Sequence, residues 1–170
     1  MIRDKYFIRK WLRFFILALF LSGLTAIPVE RELNFIINHF PFDGSIKGWL
    51  QEVLLALQHT GKNYSFLFYG YDWLAFAHFV LAILFIGPLR NPVKNKWVIE
   101  FGVIACILVI PYALIAGYLR GMPFWWRFID CSFGIIGLIP LIICLKKIKK
   151  LEFEELIETK RDHQLDFSFV

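Results

Sequence analysis

The chain has 170 residues, 58% of them hydrophobic, with a formal net charge of +5 and a mean hydropathy of +0.59. That apolar share exceeds the roughly 45–50% usual for a soluble domain, and several windows reach the roughly 18–20 apolar residues that a spanning helix needs. The length fits one domain, an ordinary soluble globular protein is excluded, and the basic excess follows the ends of the apolar runs rather than pointing to nucleic acid.

Arg3, Lys5, Arg9, Lys10 and Arg13 make the first stretch basic. The run FFILALFLSGLTAIPV follows, and residues 12–29 are just long enough to span. A basic start, a short apolar core and small residues at Thr25 and Ala26 also resemble a signal peptide. The long basic stretch and the continuation through Ile27 and Val29 favour a retained span. Pro28 suits a helix start, since its missing N–H is not needed in the first turn. Glu30 and Glu32 then favour the positive helix end, and Leu33, Ile36, Ile37 and Phe40 recur at helical spacing until Pro41.

Residues 42–48 read as a turn around Asp43 and Gly44. Between Ser45 and His59, Ile46, Trp49, Leu50, Val53, Leu54 and Leu57 share one face, opposite Lys47, Gln51, Glu52 and Gln58. This stretch is too short and polar to cross, and suits the interface or the mouth of a bundle. Residues 61–65 read as a second break. Spans are predicted at 66–86, 97–118 and 124–145, with Pro111 and Pro140 inside the last two, as membrane helices tolerate. Glu100 is expected to meet Arg90, Lys94 or Lys96. A cytoplasmic tail, 151–170, leaves the membrane domain (1–150) as a helix, and residues 162–170 are expected to be poorly ordered.

Lysine and arginine set the orientation. The first stretch, the 90–96 loop and the chain from Lys146 onward carry fourteen of the nineteen basic residues, and the 29–65 loop and the 120–127 turn carry five. The sequence thus predicts an all-α integral membrane protein, a four-transmembrane-helix bundle with two short amphipathic helices in the outer loop (30–65). Both termini are expected in the cytoplasm of a bacterial inner membrane.

Ionisable groups within apolar runs are costly unless they face a bundle interior or a wet cavity. Asp72 and His78 lie in YGYDWLAFAHFVLAILFIGP, Arg120 ends the third span, and Arg127 and Asp130 open the fourth. Glu30 sits where the first span emerges. Arg127, Asp130, Cys131, Gly134 and Gly137 form one stripe. Gly102, Ala105, Cys106, Val109, Ala113, Ala116, Gly117 and Arg120 form another, and Tyr71, Ala75, His78 and Ala82 a third. Small residues mark close helix contact in membranes, so these faces are expected to point inward. One reading is an ion-pair lock, with Arg127 on Asp130 and Asp72 on Arg120, which fixes register without chemistry. Another is an outer polar vestibule of Asp72, His78, Arg120, Arg127, Asp130, Glu30 and Tyr71, binding an anionic headgroup through forked arginine donors. A third is proton handling by Asp72 and His78 in an intramembrane enzyme or small transporter, and a fourth is a structural accessory subunit. The sequence leaves open whether the protein is an enzyme.

Cys106, Cys131 and Cys144 lie in apolar runs without a CxxC pair and read as buried structural thiols. No HExxH, phosphate loop, GxGxxG or GxSxG occurs, so no metal or cofactor is expected. Membrane lipids are the expected partners, with a protein partner or a homo-oligomer as alternatives and no nucleic acid.

The runs DWLAFAH (72–78), NPVKNKWVIEFG (91–102) and PFWWRFIDCSFGIIGLIP (123–140) resemble a group of small four-span inner-membrane proteins of Bacteroidetes-type bacteria. The resemblance covers most of the chain and implies location, with no activity attached to it.

Overall fold

A computed structural model describes the backbone of residues 2–166 and the side chains of residues 3–161. Seven α-helices follow in chain order: α1 (Ile2–Ala26), α2 (Val29–His39), α3 (Gly44–Asn63), α4 (Tyr69–Leu84), α5 (Ile86–Arg90), α6 (Lys96–Leu119) and α7 (Phe124–Asp166). One 3-10 turn, Ser65–Phe68, precedes α4, and no strand occurs among the described residues. Three helical stretches are long and apolar enough to cross a membrane: Ser65–Arg90, Lys96–Leu119 and Phe124–Arg161. A fourth is reached if α1 and α2, bent by 94° at Ile27 and Pro28, count as one span. The bend has a local cause. Pro28 is the N-cap of α2 at φ −92° and ψ 35°, a non-helical setting that breaks the run α1 would otherwise continue.

The chain forms two compact units, Met1–Ile16 with Ile83–Val170, and Leu17–Ala82. In the first, α6 and α7 lie antiparallel, and the two small-residue stripes meet. A Cβ built on Gly134 would stand 2.6 Å from the Cys106 carbonyl oxygen, one on Gly137 3.0 Å from Cys106 Sγ, and one on Gly102 2.7 Å from the Phe85 ring. Without side chains there, the backbones approach closely enough for Cys131 Sγ to lie 3.7 Å from the Ile110 carbonyl oxygen. Cys131 and Cys144 are buried and Cys106 half-buried, all as free thiols. The opposite face of α6 is bare: Ile104, Ile107, Leu108 and Ile115 are each more than half exposed. A row of that kind is stable against acyl chains and not against water.

Gly121 closes α6. At φ +67° it is the one described residue in the left-handed region. The Met122 N–H donates to the Gly117 carbonyl at 2.8 Å and the Gly121 N–H to the Tyr118 carbonyl at 3.1 Å, so two carbonyls at the helix end are satisfied. Pro123 stands immediately before α7, where a missing N–H leaves no donor unsatisfied.

The start of α1 belongs to the same unit. Ile8, Leu12, Ile99, Ile148 and Leu151 are all fully buried, and the Phe15 and Phe85 rings stand 4.8 Å apart. Residues beyond 150 are therefore not a free tail: α7 continues without a break through Leu151 to Asp166. The expectation of poor order at 162–170 meets a helical backbone as far as Asp166; residues 167–170 and the side chains from 162 on lie outside the described residues.

In the second unit, the end of α1 meets α4 at Gly23, where a Cβ would stand 2.9 Å from both the Ala75 carbonyl oxygen and the His78 Cβ. Phe20 and Phe79 stack beside this crossing at 5.2 Å. α2 and α3 form a helical hairpin that buries Leu33, Ile37, Leu50 and Leu57. The apolar positions expected from spacing thus face inward in part, whereas Ile36 and Phe40 are exposed. The break expected at 61–65 begins later, because α3 runs through Gly61 to Asn63. Gly61 is needed for a close approach instead: a Cβ there would meet the Phe68 ring at 3.1 Å and the Glu30 carboxylate at 3.7 Å.

Candidate functional site

Of the seven residues that the sequence singles out, Arg120, Arg127 and Asp130 fall in the first unit and Glu30, Tyr71, Asp72 and His78 in the second. In the first unit the turn between α6 and α7 positions the charges. Arg127 lies one turn into α7, and its aliphatic stem rests on Gly117, where a Cβ would come within 2.6 Å of Arg127 Cγ. This is a use of the small residue beyond helix contact: Gly117 gives the arginine stem a seat. The guanidinium carbon stands 5.3 Å from the Phe124 ring centroid and 5.9 Å from that of Tyr118. Both distances lie within cation–π range. Arg127 Nε is buried and has no hydrogen-bond partner among the described residues.

Asp130, at i+3 from Arg127, is half-buried. The ion pair that the spacing allowed between them is not formed; among the described residues neither side chain takes part in a salt bridge. The physical reason is the pair of rings. Phe124 and Tyr118 hold the guanidinium on their own side of the helix, and the stem is fixed by the Gly117 seat. Arg120, the C-cap of α6, is exposed at the same turn. Two arginines and one carboxylate thus gather around the 120–130 turn, with Arg127 the most constrained.

In the second unit, Asp72 is exposed in the first turn of α4, where the helix dipole favours a carboxylate. His78 is half-buried one to two turns further on, with Nδ1 2.8 Å from the Leu74 carbonyl oxygen. A carbonyl only accepts, so Nδ1 carries a proton in this contact, and Nε2 makes no bond among the described residues. Asp72 and His78 are six positions apart, about 120° around the helix and about 9 Å along it. The two do not share one face. Tyr71 packs its ring 5.6 Å from Phe68, and Glu30 opens α2 beside Gly61. Among the described residues no group of three or more His, Cys, Asp or Glu side chains is placed to hold a metal ion.

Sequence reasoning missed a second charged cluster, at the opposite end of the α6–α7 pair. Lys147 Nζ bonds Asp4 Oδ1 at 2.5 Å, Lys150 stands 3.9 Å from Asp4 Oδ2, Lys5 pairs with Glu155 at 3.3 Å and Lys96 with Glu152 at 2.6 Å. Lys147 also sits 4.7 Å above the Phe7 ring. Lys96, expected to be among the partners of Glu100, bonds a carboxylate 56 positions away instead. The Lys147 hydrogen bond holds the Asp4 carboxyl below its ordinary value of 3.8, against the partial cover that would raise it. The one signal in the sequence was Asp4 itself, an acid inside a basic segment.

No protein-family model matches this chain, and neither does any curated protein or solved structure.

Proposed function

We propose that the chain is a four-span protein of a bacterial inner membrane, with both termini cytoplasmic, and that it binds the phosphate headgroup of an anionic lipid at the outer 120–130 turn. The observation that supports this reading is Arg127: a seated, ring-flanked guanidinium whose Nε lacks a partner and whose neighbouring carboxylate leaves it free. A buried donor without an acceptor costs about 1–3 kcal/mol, and a phosphate oxygen supplies charge-assisted acceptors that match the arginine fork. Arg120 adds a second cation at the entrance. Asp130 sets the position of the headgroup by repelling it from its own side of α7.

The test is native mass spectrometry of the full chain purified in mild detergent. Wild type retains phospholipid; Arg127→Ala retains one lipid fewer while helicity and melting temperature hold, and Arg127→Lys recovers only part, since an ammonium lacks the fork. An unchanged number of retained lipids in Arg127→Ala overturns the reading. The competing reading, proton handling by Asp72 and His78, is supported by the free Nε2 of His78. It predicts that Asp72→Asn and His78→Ala abolish proton-coupled uptake or turnover in reconstituted vesicles. It is weakened by the 120° between the two side chains on α4, which forces any relay to pass through a third group.

A further inference from the structure

We propose a second anionic-lipid site at the other end of the molecule, on the exposed face of the first three turns of α1. Ile8 and Leu12 point into the first unit and are fully buried. At 100° per residue, Arg3, Arg9, Lys10 and Arg13 fall within one sector of about 120° on the opposite side. All four are exposed, and none has an ion pair among the described residues. The carboxylates nearest in the fold are already engaged: Asp4 by Lys147, Glu155 by Lys5 and Glu152 by Lys96. Internal neutralisation stops at the buried face and leaves the outer one cationic.

Lys5, Tyr6, Arg9, Lys10 and Arg13 line an open hollow of about 540 Å³. Tyr6 is 68% exposed beside it, and Phe14, the residue after Arg13, is 55% exposed. From Phe14 to Val29 the sequence carries no charge. The cations therefore stand at the boundary where an apolar run begins, the level at which a headgroup sits. Clusters of four or more Lys and Arg next to a span attract anionic lipid, and each cation contributes roughly a fivefold gain near the surface. The positive-inside bias accounts for basic residues on this side of the membrane but not for their gathering on one face around a hollow. The occupant we assign is a phospholipid with a net negative headgroup, such as a phosphatidylglycerol, with its phosphate among Arg9, Lys10 and Arg13.

The test titrates the full chain in detergent micelles with phosphatidylglycerol or phosphatidylcholine and counts bound lipid by native mass spectrometry. Micelles remove any effect of insertion orientation. Wild type prefers phosphatidylglycerol by about tenfold or more. The triple variant Arg9→Gln, Lys10→Gln, Arg13→Gln binds one phosphatidylglycerol fewer, which narrows that preference. Because these side chains are exposed and unpaired, its melting temperature stays that of wild type. Arg9→Lys with Arg13→Lys keeps most of the preference, and in the Arg127→Ala background the triple variant removes a further lipid beyond the one assigned to Arg127, so this site and the one at the 120–130 turn fail separately. An unchanged preference in the triple variant overturns the proposal. So does a loss caused by Lys146→Gln with Lys149→Gln alone, which would move the site to α7. If inorganic phosphate at matched concentration abolishes lipid binding, the site takes free anions and the lipid assignment falls.

Discussion

The two ends of the α6–α7 pair treat charge in opposite ways. At the end where α1 joins, Asp4, Glu152, Glu154 and Glu155 each hold a lysine. At the 120–130 turn, Arg127 and Asp130 stand three residues apart and form no ion pair among the described residues. The first arrangement joins α1, α6 and α7, segments distant in sequence, and reads as a lock. The second joins no segments by charge; its arginine is held by a glycine seat and two rings. Charge near an apolar run is therefore not one signal. Whether it locks or waits for a ligand is decided by partners that the local sequence does not show. Between the two ends lies the glycine contact that sets the separation of the helices.

The largest effect is expected from that contact. Gly134→Ala places a Cβ 2.6 Å from the Cys106 carbonyl oxygen, a backbone atom that cannot swing away. We expect a loss of about 1–3 kcal/mol, read as a lower midpoint of unfolding in mixed micelles. Gly48→Ala is the control. A Cβ there meets nothing within 4 Å, and the better helix former should raise the midpoint slightly, by about 0.5–1 kcal/mol. Equal effects at the two glycines would mean that the α6–α7 contact does not govern stability.

Next comes the turn that carries the open end. Gly121 has free space around it but sits at φ +67°. Gly121→Ala should cost about 1 kcal/mol through backbone conformation alone. If Arg127 depends on the turn for its seat, lipid retention falls together with stability. A stable Gly121→Ala protein that has lost lipid would show that the turn's geometry matters more to the site than to the fold.

How far the sequence foresaw this depends on distance along the chain. The facing stripes of α6 and α7 were legible, because small residues recur at helical spacing on both and a short turn makes the helices neighbours. The α2–α3 hairpin was legible for the same reason, with Leu33, Ile37, Leu50 and Leu57 on apolar faces. The length of α3 was not: Gly61 is read as a breaker locally, yet it serves the contact with Phe68. A helix past 150 was expected, but its pairing with the start of α1 was hidden. Four lysines followed by glutamates look like a solvated tail until Asp4, Lys5 and Lys96 supply partners from elsewhere. The missing pair between Arg127 and Asp130 was equally invisible, since spacing allows the bond and only the placement of Phe124 and Tyr118 prevents it.

Within the lock, Asp4 is the sensitive member because it is the more covered partner, with a side chain 14% exposed against 32% for Lys147. Its carboxyl is held below 3.8 by Lys147. Lowering a folded-state value means that the ionised form is favoured by folding, so the contribution is complete above 3.8 and is lost as pH falls through the lowered value. Asp4→Asn should therefore lower the unfolding midpoint at pH 7. The gap between wild type and variant should then close as the solution is acidified below 3.8. A gap that persists at the lowest pH would assign the effect to packing rather than charge.

The smallest effect belongs to Lys5 and Glu155, whose side chains are 36% and 42% exposed. Water and salt compete for both groups, and holding two long side chains in register costs rotamer entropy, so Glu155→Gln should change stability by about 0.5 kcal/mol or less. Raising the salt from 0.05 to about 0.5 M shortens the screening length to a few ångströms and should erase even that difference. The same salt step should leave most of the Asp4→Asn effect, because its shorter, better covered bond to Lys147 is less open to screening. If instead Glu155→Gln proves as damaging as Asp4→Asn, the distal part of α7 is held by charge rather than by Ile148 and Leu151. The lock would then depend on its outermost pair, and the contrast with the 120–130 turn would rest on reach along the helix instead of burial.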